Sequence, residues 1–170
     1  MIRNVDIRMA ACFFWIVAVC SGCGTDKPAR VELQAVHTSA FNCQCPAAWS
    51  QVPRGSTDLI LRCPEGFLGT PKEVIVHIAS NAITDENTKK FVNDASERGN
   101  SQVTKISVAG IESTRITYER ANLIEKSRYM NYTVLVPGSL SVTTNDADRD
   151  SLLVIVPHID AMLQTLQLTQ

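Results

Sequence analysis

The chain has 170 residues, 45% of them apolar and 19% charged, with a net charge of −1. That length suits one domain with a real core and is short for two. The composition excludes a disordered chain, and the charge balance argues against a nucleic-acid binder that works through a broad basic surface.

Six cysteines make the redox compartment the first question, and the N-terminus addresses it. Arg3 and Arg8 form a positive start, partly offset by Asp6. Met9 to Val19 is an apolar run of about a dozen residues. A membrane-spanning helix needs about 20, so the run has the length of a signal-peptide core. Ser21-Gly22-Cys23 follows. This resembles a bacterial lipoprotein signal, in which the cysteine after two small residues is acylated and the peptide before it is removed. Cys20 stands where the family usually has an aliphatic residue, and Val19 is too large to make Cys20 itself the modified residue. The resemblance implies lipidation of Cys23 with palmitate-type chains, effectively permanent attachment to the cell envelope and a disulfide-permissive compartment. Gly24, where Asp would mark inner-membrane retention, implies the outer membrane, facing the periplasm. A secretory signal without lipidation and an uncleaved anchor or buried helix are the alternatives. Residues 1–22 are thus expected to be signal, 23–38 the lipidated N-terminus and tether, and 39–170 one domain.

Within 23–38, Lys27-Pro28 reads as tether, feeding a first strand at 31–36. Residues 39–46 alternate as a strand ended by Pro46, with Phe41, Cys43 and Cys45 on one face. Residues 51–57 read as a loop and 58–63 as the next strand, with Leu59, Leu61 and Cys63 on one face. Two glycines and two prolines mark 64–71 as a loop. Residues 73–79 are β-branched and short, a strand.

Thr84-Asp85-Glu86 opens a helix whose narrow apolar face holds Phe91, Val92 and Ala95, and Gly99 closes it. Strands follow at 102–109 and 111–119, turning near Gly110. On the second, Ile116 and Tyr118 share a face opposite Arg115 and Thr117. After a polar connection at 120–126, residues 128–136 and 139–144 form a hairpin through Pro137-Gly138. Leu152, Val156, Ile159, Leu163 and Leu166 step by three and four, one helix face, with Pro157 expected to kink or divide it.

The order predicts an α+β fold, a mainly antiparallel sheet flanked by two helices. It is similar to the PsbP-like α/β/α sandwich, which includes a photosystem extrinsic subunit and DcrB-type lipoproteins. The matching pieces are Phe41 with Pro46 and Trp49, the helix after Ile83-Thr84, Val108-Ala109-Gly110 leading into 111–118, and the closing helix into Leu168. Members mostly act as binding or assembly modules.

Cleavage before Cys23 leaves Cys43, Cys45 and Cys63. If the strands at 41–45 and 59–63 pair, one of Cys43 and Cys45 bridges to Cys63, leaving one free thiol. Buried thiols are the second reading. A metal or redox site is the third, and His37, His77 and His158 are scattered too widely to support it. Asp146, Asp148 and Asp150 alternate like the start of a calcium loop, but Ser151 and Pro157 replace the required glycine and glutamate, so a dipole-favourable helix start is preferred. Lys89, Lys90, Arg98 and Lys105 read as a solvated face. No nucleophile motif, phosphate-cradling loop or zinc-protease motif occurs, so neither a catalytic site nor a cofactor is expected. The expected function is a non-enzymatic envelope lipoprotein that binds a protein partner and no nucleic acid. The alternative is an immunity or inhibitor lipoprotein that masks a toxin or hydrolase.

Overall fold

The computed structural model describes residues 31–123 and 126–169. Cys23, the signal segment and the tether as far as residue 30 lie outside the described residues. Val31 begins a single compact unit.

Among the described residues, two antiparallel sheets and two α-helices build that unit. The small sheet joins β1 (Leu33–His37), β2 (Phe41–Pro46) and β11 (Gln167–Leu168), with β2 central. The large sheet has the order β3-β4-β5-β9-β8-β7-β6, with the short β10 beside β8. Its strands are β3 (Ser50–Arg54), β4 (Asp58–Cys63), β5 (Val74–Ser80), β6 (Asn100–Val108), β7 (Ile111–Asn122), β8 (Ser127–Val136), β9 (Leu140–Thr144) and β10 (Ala147–Asp148). Helix α1 spans Asp85–Arg98 and α2 spans Arg149–Gln164. The α+β class, a mainly antiparallel sheet with two helices, is as the sequence predicts.

Alternation along β8 assigns the faces. Tyr132, Val134 and Val136 join the core under α2, whereas Leu135 joins Ile83, Ala95, Ile116 and Tyr118 under α1. The helices therefore cover opposite faces. From α2, Leu152, Ile155, Ile159, Met162 and Leu163 are buried, each contributing about 1.5–3 kcal/mol by its removal from water. The small sheet extends this larger core with Val36, Phe41, Cys43 and Cys45.

Local chemistry explains the helix ends. The Thr84 hydroxyl accepts from the Asn87 amide, and the Asn87 side chain accepts from the Thr84 amide. Asp148 caps α2 by accepting from the Ser151 amide at 3.0 Å. Gly99 closes α1 in extended conformation (φ 172°) and not in the left-handed one. A Cβ there would stand 2.0 Å from the Glu119 carbonyl oxygen, so close approach is what requires glycine.

Several expectations are corrected. The folded unit begins at Val31 and not at Ser39, because β1 pairs with β2 along its whole length. Residues 51–57 are not simply a loop, since β3 runs through Pro53. All five β3 residues are exposed, and an edge strand tolerates a missing backbone donor. Pro157 does not divide α2, because it sits on the exposed side of the helix, where water can serve the carbonyl it leaves without a partner. Strand β7 continues to Asn122, which shortens the expected polar connection.

Candidate functional site

The α1 face of the large sheet is only partly covered. One cross-strand row runs Val52, Ile60, His77, Thr143, Thr133, Ile116 across six strands, each residue paired with the next. Helix α1 packs on β7 and β6, at the Ile116 end. Among the described residues, the β3-β4-β5 end carries no helix on this face. Val52 is 42% exposed, and Ile60 and His77 are half-buried.

Where α1 meets the open part, a cavity of about 120 Å³ lies between helix and sheet. Phe91, Ala95 and Ile116 give it apolar walls, Asn131, Thr133 and Thr143 an amide and hydroxyls, and Asp94 and Arg98 a charged margin. The polar floor is internally ordered. Asn131 donates to the Thr144 carbonyl at 2.6 Å and accepts from the Thr133 hydroxyl at 2.9 Å. Phe91, at 40% exposed, is the part of α1's apolar stripe that the sheet leaves uncovered.

A charged network braces one end of this face. The Tyr118 hydroxyl donates to Asp146 at 2.7 Å, and Arg120 pairs with the other Asp146 oxygen at 2.6 Å. Burial, reinforced by the Asp146 bond, pushes the Tyr118 pKa up. The Arg98 pKa is raised too, chiefly by its bond to the Tyr118 hydroxyl. Arg120 also stands over the Tyr129 ring, 5.8 Å from its centroid. On the opposite face, buried Tyr132 donates to Asp160, which Arg115 approaches at 3.4 Å.

Cys43, Cys45 and Cys63 all lie in the α2 core, as free, buried thiols. The strand pairing on which a bridge was expected does not occur. Strand β2 pairs with β1 and β11, and β4 with β3 and β5. Burial pushes Cys43 and Cys63 up to about 12, with Cys45 adding to the shift at Cys43 and Glu73 to that at Cys63. Cys45 is also raised by burial, against a bond from Gln34 that lowers it. Protonated, enclosed thiols are poor nucleophiles.

The aspartate series is occupied by structure: Asp146 holds Tyr118 and Arg120, Asp148 caps α2, and Asp150 pairs with Arg149. Among the described residues no group of three or more His, Cys, Asp and Glu is placed to hold a metal ion. Of the histidines, His77 lies in the open row, His158 packs edge-on against Phe67, and His37 bonds Asn42 at 3.0 Å. Sequence reasoning found Phe91, Ala95 and Ile116 through their periodicity but not the row. Its β5–β9 step joins strands 60 residues apart, and no local signal marks that pairing.

No protein-family model matches the chain, and no curated protein matches it. Solved structures are similar in fold. A Pseudomonas aeruginosa protein of unknown function, PA94, is 18% identical with a TM-score of 0.50, covering 80% of this chain and 95% of that one. LpqN of Mycobacterium tuberculosis, involved in cell envelope biogenesis, is 13% identical with a TM-score of 0.50, covering 83% and 92%. CyanoP, the PsbP protein of Synechocystis sp. PCC 6803, is 14% identical with a TM-score of 0.45, covering 88% and 98%. At these identities the likeness concerns the fold alone.

Proposed function

We propose that the chain is an envelope lipoprotein, acylated at Cys23 and held on the outer membrane, whose domain binds a protein partner without catalysing a reaction. The observation that carries the binding role is the open end of the α1 face with its adjoining cavity. A bare sheet surface supplies area, and a cavity of about 120 Å³ supplies an anchor point. An apolar cavity of about 150 Å³ holds one benzene-sized group, so this one suits a single ring or branched aliphatic side chain. Anchors of that kind dominate protein interfaces. The amide and hydroxyl floor gives the anchor's backbone or polar edge a place to bond. LpqN's involvement in cell envelope biogenesis agrees with an envelope setting. The Ser21-Gly22-Cys23 pattern supports the anchor.

Photo-crosslinking in intact envelopes tests the binding role. A crosslinker at Phe91 or His77 should give one discrete adduct that Thr133→Lys, which fills the cavity, abolishes. A crosslinker at Gln164, exposed on α2, should give none. Identical patterns from all three positions would overturn the reading. Palmitate labelling of wild type and Cys23→Ala tests the anchor, and equal labelling would remove it.

A further inference from the structure

The exposed large apolar side chains among the described residues fall into two groups. Val52, Phe91 and Val103 belong to the α1 face and its cross-strand row. The other four are all leucines: Leu33 (56% exposed), Leu68 (47%), Leu123 (88%) and Leu153 (43%). Strand connectivity gathers these four at one end of the domain.

Leu33 pairs with Pro46, and four residues later the chain enters β3 at Ser50, opposite Arg62. The loop carrying Leu68 leaves β4 at Cys63 and returns into β5 at Val74, and these two residues pair. Strand β9 ends beside the start of β5, where the Asn145 amide donates to the Ile75 carbonyl. From there the chain enters α2, whose Ser151 hydroxyl accepts from the Lys72 amide, so Leu153 lies next to the Leu68 loop's exit. The β7–β8 hairpin runs past this level, through the Arg120–Tyr129 and Asn122–Ser127 pairs, to Leu123. The opposite end holds the turns at Gly55, Gly110 and Gly138, and no exposed large apolar residue among the described ones.

The Leu68 loop is shaped for display. Gly66, Leu68 and Gly69 all have left-handed backbones (φ 83°, 48° and 86°). A bulky residue avoids that region unless its surroundings hold it there. Phe67 turns inward, edge-on to Trp49 and His158, while Leu68 turns outward.

The length of the preceding chain says what this end meets. Val31 opens the domain at the same end, eight residues after Cys23. Eight residues span at most about 29 Å when fully extended. Exposed Lys72, Lys126 and Arg128 stand near the leucines, as do Glu32, Glu65 and Asp150, so charge of both signs surrounds them. Exposed leucines at the tethered end of a domain suit the headgroup boundary of a bilayer. We infer that this end of the domain rests on the membrane that carries the anchor, with Leu33, Leu68, Leu123 and Leu153 at the lipid interface. The inference rests on the acylation of Cys23 proposed above. It leaves the strands pointing away from the bilayer and the α1 face open to the side.

The test uses the full chain, exported and purified from membranes, with one surface cysteine at a time: Leu68→Cys, Leu123→Cys or Ser56→Cys at the opposite end. The buried native thiols stay unlabelled in the folded protein. Each variant receives an environment-sensitive fluorophore and is reconstituted in phosphatidylethanolamine–phosphatidylglycerol vesicles containing a spin-labelled quencher lipid. Quenching at positions 68 and 123 should exceed that at 56 several-fold. Flotation with vesicles but equal quenching at all three positions overturns the lipid-facing end and keeps the anchor. End-specific quenching in a chain without acyl groups keeps the lipid-facing end and overturns the anchor. Neither flotation nor end-specific quenching overturns both.

Discussion

Raising the pH from 8 to 10 should destabilise this domain through its buried thiols. Cys63 is fully enclosed, and its pKa is pushed from 9.0 to about 12. A raised folded-state pKa contributes stability that is complete below the unfolded value and is lost as pH climbs above it. With 9.0 unfolded and about 12 folded, the loss between pH 8 and pH 10 is about 1.4 kcal/mol for this one thiol. Cys43, pushed up to about 12 in the same way, adds a similar amount, so the pair accounts for about 2.7 kcal/mol. That is a large share of the roughly 5–15 kcal/mol typical of a domain. Tyrosines titrate in this range too, so the clean quantity is a difference of differences. Urea unfolding of wild type and Cys63→Ala at both pH values isolates the Cys63 share. The variant should lose about 1.4 kcal/mol less stability than wild type across the interval. Equal losses in the two proteins would refute the reasoning. That result is also what a Cys63 disulfide would give, because a bridged sulfur has no proton to release.

Three further predictions follow from the same geometry. Alkylation with mass-spectrometric readout should find Cys43, Cys45 and Cys63 inert in the folded protein and all reactive in denaturant without reductant, and only one reactive thiol would restore the bridge. Gly99→Ala should cost about 1–3 kcal/mol or more in chemical denaturation, since its Cβ would collide with the Glu119 carbonyl at 2.0 Å. Gly55→Ala meets nothing within 4 Å and should cost only about 1 kcal/mol for its left-handed backbone, so equal midpoints for the two variants would contradict the steric argument. Tyr132→Phe removes the hydroxyl bond to Asp160 while filling the same space. Asp160 keeps Arg115 and is about a third exposed, so urea unfolding should show a loss of about 1–1.5 kcal/mol, and no loss would count against the bond.

The sequence alone determined the elements whose signals are local. Period-two alternation placed Cys43 and Cys45 on one face and Ile116 with Tyr118 on another, and the Thr84 cap and Gly99 bounded α1 because caps are read within one turn. A first strand at 31–36 was legible, but its membership of the domain was not, since that follows only once β2 supplies β1 with a partner. Strand β3 was hidden for a different reason: an edge strand exposed on both faces carries no apolar alternation. Only the tertiary structure decided which strands are neighbours. That decision separated β2 from β4, left the three thiols unbridged, set His77 beside Thr143, and gathered four exposed leucines at one end. Pairing between distant strands depends on how whole faces bury against α2 and α1, and such burial is a property of the assembled core that no single segment encodes.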